Sequence, residues 1–179
     1  MERTKGFTLI ELLIVVAIIA ILAAIAIPNF LAAQTRSKVS RVTSEMRTFA
    51  TGMESYYVDN NTYLPTRNVV GVSRLQRFIP LTTPVSYLSS IPKDLFSNET
   101  GDQKYYPYWG QDMFSPTNAA YFVNVPALQS RVAGGGNLWM VFSSGPDRDY
   151  EPAVAPYGFD IYDPSNGTIS NGDIFRWGP

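Results

Sequence analysis

The sequence predicts an α+β fold: a long, kinked N-terminal helix, half membrane-spanning and half amphipathic, packed on a small antiparallel β-sheet head. Three observations predict it. All but two of the residues from Phe7 to Ile27 are apolar. Apolar residues then recur at helical spacing from Val39 to Tyr56. All 13 prolines and all 13 glycines lie outside the apolar stretch, and the later runs rich in Tyr, Phe, Val and Trp lie among them.

The first element is residues 7–27. At 1.5 Å per residue this stretch makes a helix of about 31 Å, the hydrocarbon thickness of a bilayer. Arg3 and Lys5 precede it against Glu2 alone, so the positive-inside rule keeps the N-terminus cytoplasmic and sends the rest of the chain outward. A cleaved secretory signal shares the basic start and apolar core, and Ala23, Ala24 and Ala26 imitate its cleavage site. Glu11 separates the two readings. A carboxylate inside a membrane helix is costly and calls for a partner and a function. Nothing cationic lies within the apolar segment, so that partner is expected on another molecule or at a new N-terminus.

Lys5-Gly6-Phe7-Thr8-Leu9-Ile10-Glu11-Leu12 resembles the processing motif of type IV pilins and type II secretion pseudopilins. The resemblance spans roughly the first 60 residues. It implies that a membrane prepilin peptidase cuts after Gly6, that residues 1–6 are a leader, and that Phe7 becomes an N-methylated terminus. It also implies that Glu11 pairs with the terminal amine of an adjacent subunit during filament assembly, and that Pro28 corresponds to the family's helix-kinking proline. Cleavage would create an ammonium at the apolar end, stranded in lipid without a neighbour's Glu11.

The second element covers residues 28–61. Val39, Val42, Met46, Phe49, Met53 and Tyr56 step by three and four and form one apolar stripe, expected to pack under the chain's own head. Pro28 lacks an amide hydrogen, so a kink or local melting is expected there. Asp59-Asn60-Asn61 supplies the turn that ends the helix.

The head is assigned to residues 62–179. Its prolines disfavour long helices, leaving a short one around Val72 to Phe78. Strands are expected at Ala119 to Val125 and Asn137 to Ser143, joined by the link Ser130 to Gly136. Shorter ones are expected at Phe159 to Tyr162 and Thr168 to Phe175, around the turn Asp163 to Gly167. Tyr105-Tyr106-Pro107-Tyr108-Trp109 reads as core in preference to a sugar-binding patch. Gly134-Gly135-Gly136 lacks the Lys-Ser/Thr of a phosphate loop.

Composition removes whole classes of function. The 179 residues include no Cys and no His, which excludes disulfides, thiol nucleophiles, Ser-His-Asp triads and the usual zinc sites. Metal chemistry is confined to oxygen ligands, favouring calcium or magnesium. A formal charge of −1 supplies no general attraction for nucleic acid, and none is expected as a partner. Asp147, Asp149, Asp160, Asp163 and Asp173 crowd the C-terminal region in loop-like sequence, without an EF-hand pattern.

Ser143-Ser144-Gly145-Pro146-Asp147, with Gly172-Asp173-Ile174, resembles the C-terminal loop of major pseudopilins. That resemblance implies a structural calcium held by Asp147 and Asp173, with Asp149 and Thr168 as further ligands; the opposing expectation is a plain hydrogen-bonded loop. Two related functions follow from the family. The first is the subunit of a periplasmic pseudopilus of a type II secretion system; the alternative is a type IV pilin of an extracellular fibre for adhesion, motility or DNA uptake. Both imply residence in the bacterial inner membrane before assembly. The partners implied are copies of the chain, minor pilins or pseudopilins, prepilin peptidase, the inner-membrane assembly platform and membrane lipid. A glycosidase using Asp147 and Asp149 is disfavoured, because the chain shows no second lobe to form a sugar-sized cleft. A membrane-anchored module that never polymerises is the third class, and it would be indifferent to loss of Glu11.

Overall fold

The structure is a computed structural model that describes residues 6–64, 73–110, 126–134, 138–149, 161–166 and 172–179. Helix α1 spans Leu9–Asn60 and contains Pro28. The helix is unbroken there, so the expected local melting does not occur. Proline removes one bond, the donor to the Ala24 carbonyl, while the bonds on either side persist. Asn29 adds a side-chain donor nearby, from Nδ2 to the Ile25 carbonyl at 3.0 Å. The chain divides into two compact units, Met1–Ser37 and Lys38–Pro179.

In the second unit, α1 buries Val42, Met46, Phe49, Ala50 and Met53, and Val39 and Tyr56 pack at the margin of the same core. The predicted stripe is therefore the buried face. The helix ends where the Asp-Asn-Asn turn is expected: Asn61 adopts φ of 53°, a conformation asparagine tolerates better than most residues. Helix α2, Arg74–Phe78, starts at Ser73 with a capping box: Gln76 N donates to Ser73 Oγ, and Ser73 N donates to Gln76 Oε1.

The sheet is three-stranded and antiparallel in the order β1 (Tyr108–Trp109), β2 (Trp139–Ser143), β3 (Ile174–Gly178). Tyr108 pairs with Val141, and Phe142 with Phe175. Strand β2 is buried along its whole length, in keeping with its apolar run Trp139 to Phe142. Strand β3 lies later than expected, beginning at Ile174 and running through Phe175 to Gly178. Trp139 faces Gly178 in the register, and a Cβ on that glycine would strike the indole.

One predicted link is a helix. Residues Pro126–Ala133 form α3, so the segment beginning at Ser130 is its second half. Proline suits the first turn of a helix, where its missing N–H costs nothing, and Ala, Leu, Gln and Arg then favour continuation. The strand expected at Ala119 to Val125 lies outside the described residues, as do Thr168 to Asn171 of the last expected strand. At Ile161 the pairing is a single parallel bridge to Asp173. Asp163 turns the chain by accepting a hydrogen bond from Ser165 N at 2.8 Å.

Aromatic packing joins the sheet to the helix. Phe49 lies 4.7 Å from Phe78 and 5.6 Å from Tyr106, centroid to centroid. Tyr106 and Tyr108 are fully buried, as core residues rather than a surface patch. Two glutamates flank the stripe and take the polar ends of this core. Glu45 accepts from the Tyr106 hydroxyl at 2.7 Å and pairs with Arg41 at 2.8 Å. Glu54 accepts from the Tyr63 hydroxyl at 3.0 Å and from Trp139 Nε1 at 2.9 Å. Burial first, and then the Glu45 carboxylate, push the Tyr106 hydroxyl well above the ordinary phenol range.

Candidate assembly site and C-terminal loop

Gly6 is exposed with open space around its Cα, and Phe7 is exposed beside it, so the bond between them is accessible. Thr8 is the cap of α1: its carbonyl accepts the first helical bond, from Leu12 N at 3.2 Å. Its side chain and Glu11 form a reciprocal capping box. Thr8 N and Thr8 Oγ1 both donate to Glu11 Oε2, at 2.9 and 2.7 Å, and Glu11 N donates to Thr8 Oγ1 at 3.3 Å. Glu11 thus has a neutral hydrogen-bonding partner in its own chain, Thr8, in addition to the cationic partner expected from another molecule or a new N-terminus. The signal is legible as Thr-x-x-Glu directly before an apolar run, a pattern that the cost of a charge in the membrane overshadows. Among the described residues Glu11 Oε1 takes no part in these bonds, and the carboxylate is exposed on the single chain.

Every Val, Ile, Leu and Phe between Phe7 and Leu31 is at least 45% exposed. A continuous apolar surface of this length exceeds what a monomer leaves to water, and it requires lipid or other protein to cover it. The helix is long and apolar enough to cross a membrane.

The C-terminal loop brings together two parts of the chain that the sequence paired. Gly145 adopts φ of 68°, and a Cβ there would overlap the Gly172 carbonyl, so only glycine permits this approach. Asp147 Oδ2 accepts from Gly172 N at 2.8 Å, and Oδ1 from Asp149 N at 3.3 Å. Asp173, next along, is buried. The Asp149 residue is exposed, and Thr168 lies outside the described residues. Among the described residues no three acidic side chains converge as a metal-binding group. Asp147 thus meets the segment that carries Asp173, while Asp149 contributes its amide rather than a placed carboxylate.

A third carboxylate, which no sequence pattern signals, supports this loop from below. Asp94 is buried and accepts from Ser143 Oγ at 2.6 Å and Phe96 N at 3.0 Å. Desolvation raises its pKa despite these bonds. A lone aspartate among prolines carries no period or spacing that could reveal it.

The fold and the N-terminal site define a protein with an apolar anchoring helix, a capped N-terminal carboxylate and the α+β architecture of type IV pilins. Residues 1–27 match the family described as the prokaryotic N-terminal methylation motif. The N-terminal third of the chain is similar to that of type IV pilins. It is 56% identical over 63 residues to the type IV wide pilus major component PilA4 of Thermus thermophilus, covering 35% of this chain and 48% of that protein. It is 49% identical over 69 residues to the type IV major pilin protein PilA of Myxococcus xanthus, covering 38% and 31%. Over 55 residues it is 60% identical to the type IV major fimbrial protein FimA of Dichelobacter nodosus, covering 31% and 35%. The matched region spans half or less of these relatives' own length. No solved structure matches the chain at a significant level. These relatives are named for pili and fimbriae, so they favour the extracellular-fibre alternative over the pseudopilus of a secretion system, for which they offer no specific support.

Proposed function

We propose that this chain is a structural, non-enzymatic subunit of an extracellular type IV pilus. The observation that carries the reading is the methylation motif set directly on an apolar helix whose large side chains are all exposed. Before assembly, residues 7–27 hold the subunit in the inner membrane, with Arg3 and Lys5 keeping the N-terminus cytoplasmic. Cleavage after Gly6 frees the Phe7 amine at the apolar end. The Thr8 box holds Glu11 beside that end, so a neighbour's ammonium meets a carboxylate fixed in position. Charge neutralisation in a low-dielectric setting then favours stacking in register over random association. Copies of the chain cover one another's apolar helices as lipid is left behind; prepilin peptidase, minor pilins and an inner-membrane platform are the partners such assembly requires.

Calcium belongs to this reading as a loop fastener. Asp147 and Asp173 would hold it together with backbone carbonyls, in the oxygen-rich manner calcium accepts. The juxtaposition of Asp147 with the Gly172 backbone supports it.

Immunogold labelling of whole cells tests the proposal. Label along fibres outside the envelope is the expected result. Label confined to the periplasm would return the chain to the pseudopilin reading, and label spread over the membrane without fibres would remove the filament role altogether.

A further inference from the structure

The pattern Asn-x-Ser/Thr, with any residue but proline in the middle, occurs three times in the chain. The triplets are Asn60-Asn61-Thr62, Asn98-Glu99-Thr100 and Asn166-Gly167-Thr168. Such a triplet on an accessible surface loop can accept a sugar on the asparagine amide nitrogen. The fold leaves the three unequally available.

Asn60 is the last residue of α1, and its Nδ2 donates to the Tyr56 carbonyl at 2.9 Å. Asn61 has φ of 53°, so the backbone reverses within the triplet, and Thr62 Oγ1 donates to the Tyr63 carbonyl at 3.3 Å. An enzyme would have to open the helix end to engage both side chains. Asn166 closes the short 3-10 helix Pro164–Asn166, and its Thr168 lies outside the described residues. The middle triplet differs from both. Asn98, Glu99 and Thr100 are exposed in a row, in neither helix nor strand. Thr100 is extended, with φ of −116° and ψ of 165°, and its hydroxyl does not cap the turn Gly101–Lys104 that follows. Asn98 Nδ2 reaches the Arg148 carbonyl at 3.4 Å, too long for a strong bond. An amide nitrogen carries two hydrogens, so one can give way to a sugar while the other keeps this contact.

We infer that Asn98 is an N-glycosylation site, with Thr100 supplying the hydroxyl that a glycosyltransferase reads. The co-substrate is a sugar carried on a diphosphate. A bond forms between Asn98 Nδ2 and C1 of the sugar, and the C1–O bond to the diphosphate breaks. The diphosphate leaves with that electron pair, and Nδ2 gives up one proton to a base on the enzyme. This goes beyond the filament reading and requires only a loop open to the enzyme, whether or not the chain polymerises.

The test is peptide mass spectrometry of the full-length chain, purified from the membrane and fibre fractions of the cells that produce it. The peptide holding Asn98 should be heavier by whole sugar residues, and fragmentation should place them on Asn98, with Asn60 unmodified. Thr100→Ser should keep the sugar, whereas Thr100→Ala and Asn98→Gln should lose it. A bare Asn98 in the wild-type chain overturns the site, as does a sugar carried by the Thr100 hydroxyl itself. Retention in Thr100→Ala, or loss from Thr100→Ser as well, overturns the part given to the hydroxyl. Sugar on Asn60 overturns the selection of one triplet by the fold. Each of these readings is independent of whether fibres form.

Discussion

Thr8 and Glu11 close a reciprocal pair at the start of α1: the threonine hydroxyl donates to Glu11 Oε2 at 2.7 Å and accepts from Glu11 N at 3.3 Å. The pair fixes one oxygen of the carboxylate on its own chain. It also satisfies helix-end donors that lipid could not satisfy. Glu11 is thus a capping residue as well as a charge, and cleavage after Gly6 would leave both members of the pair in place.

The hydroxyl of Thr8 should consequently matter more than its size. Thr8→Ser keeps the box and is expected to leave filament yield near wild type. Thr8→Val keeps the shape, loses donor and acceptor together, and should reduce yield several-fold with membrane insertion unchanged. Sheared-fibre yield against total membrane-bound protein measures both. Equal yields from the two variants would show that Glu11 works without its cap.

Glu54 anchors two donors from different parts of the head, Tyr63 and Trp139. Glu54→Ala removes both acceptors and should cost about 2 kcal/mol, lowering Tm by several degrees. Glu54→Gln keeps an acceptor oxygen and should cost less. Thermal denaturation of the detergent-solubilised chain compares them.

How far the sequence can be read depends on whether a feature is local. The apolar span, the stripe from Val39 to Tyr56 and the turn at Asp59 to Asn61 follow helical period and turn chemistry, and all three fall where expected. The buried Tyr106 and Tyr108 follow from aromatic content beside proline. Helix α3 is hidden because the glycines of Ser130 to Gly136 signal a link more loudly than Pro126 signals a helix start. Strand β3 begins later than its composition suggests because its register is set by Trp139 facing Gly178, a pairing 39 residues apart. Asp94 is invisible for the same reason: its partner Ser143 is distant in sequence, and no period links them. At the candidate site, Gly6, Phe7 and Glu11 are legible as a contiguous motif, whereas Asp147 and Asp173 need two separate segments to meet.

Alkaline pH should weaken the head through Tyr106. Its hydroxyl ionises in the unfolded chain near pH 10, whereas burial and Glu45 hold it protonated to higher pH when folded. Above pH 10 the unfolded state binds fewer protons, so stability falls as pH rises. Denaturant titrations at pH 8 and pH 11 should show this loss, and Tyr106→Phe should flatten the slope between them.

Calcium should raise the melting temperature of the C-terminal region, and a chelator should lower it. Asp147→Asn should abolish the difference while retaining an acceptor for Gly172 N. Identical transitions with calcium and with chelator would assign the loop wholly to its hydrogen bonds.

Mass spectrometry of the N-terminal peptide from sheared surface fibres tests the central claim most directly. A pilus subunit processed as proposed yields a peptide beginning with N-methylated Phe7. A chain that retains Met1 to Gly6 and stays in the membrane fraction, absent from the fibres, would contradict it.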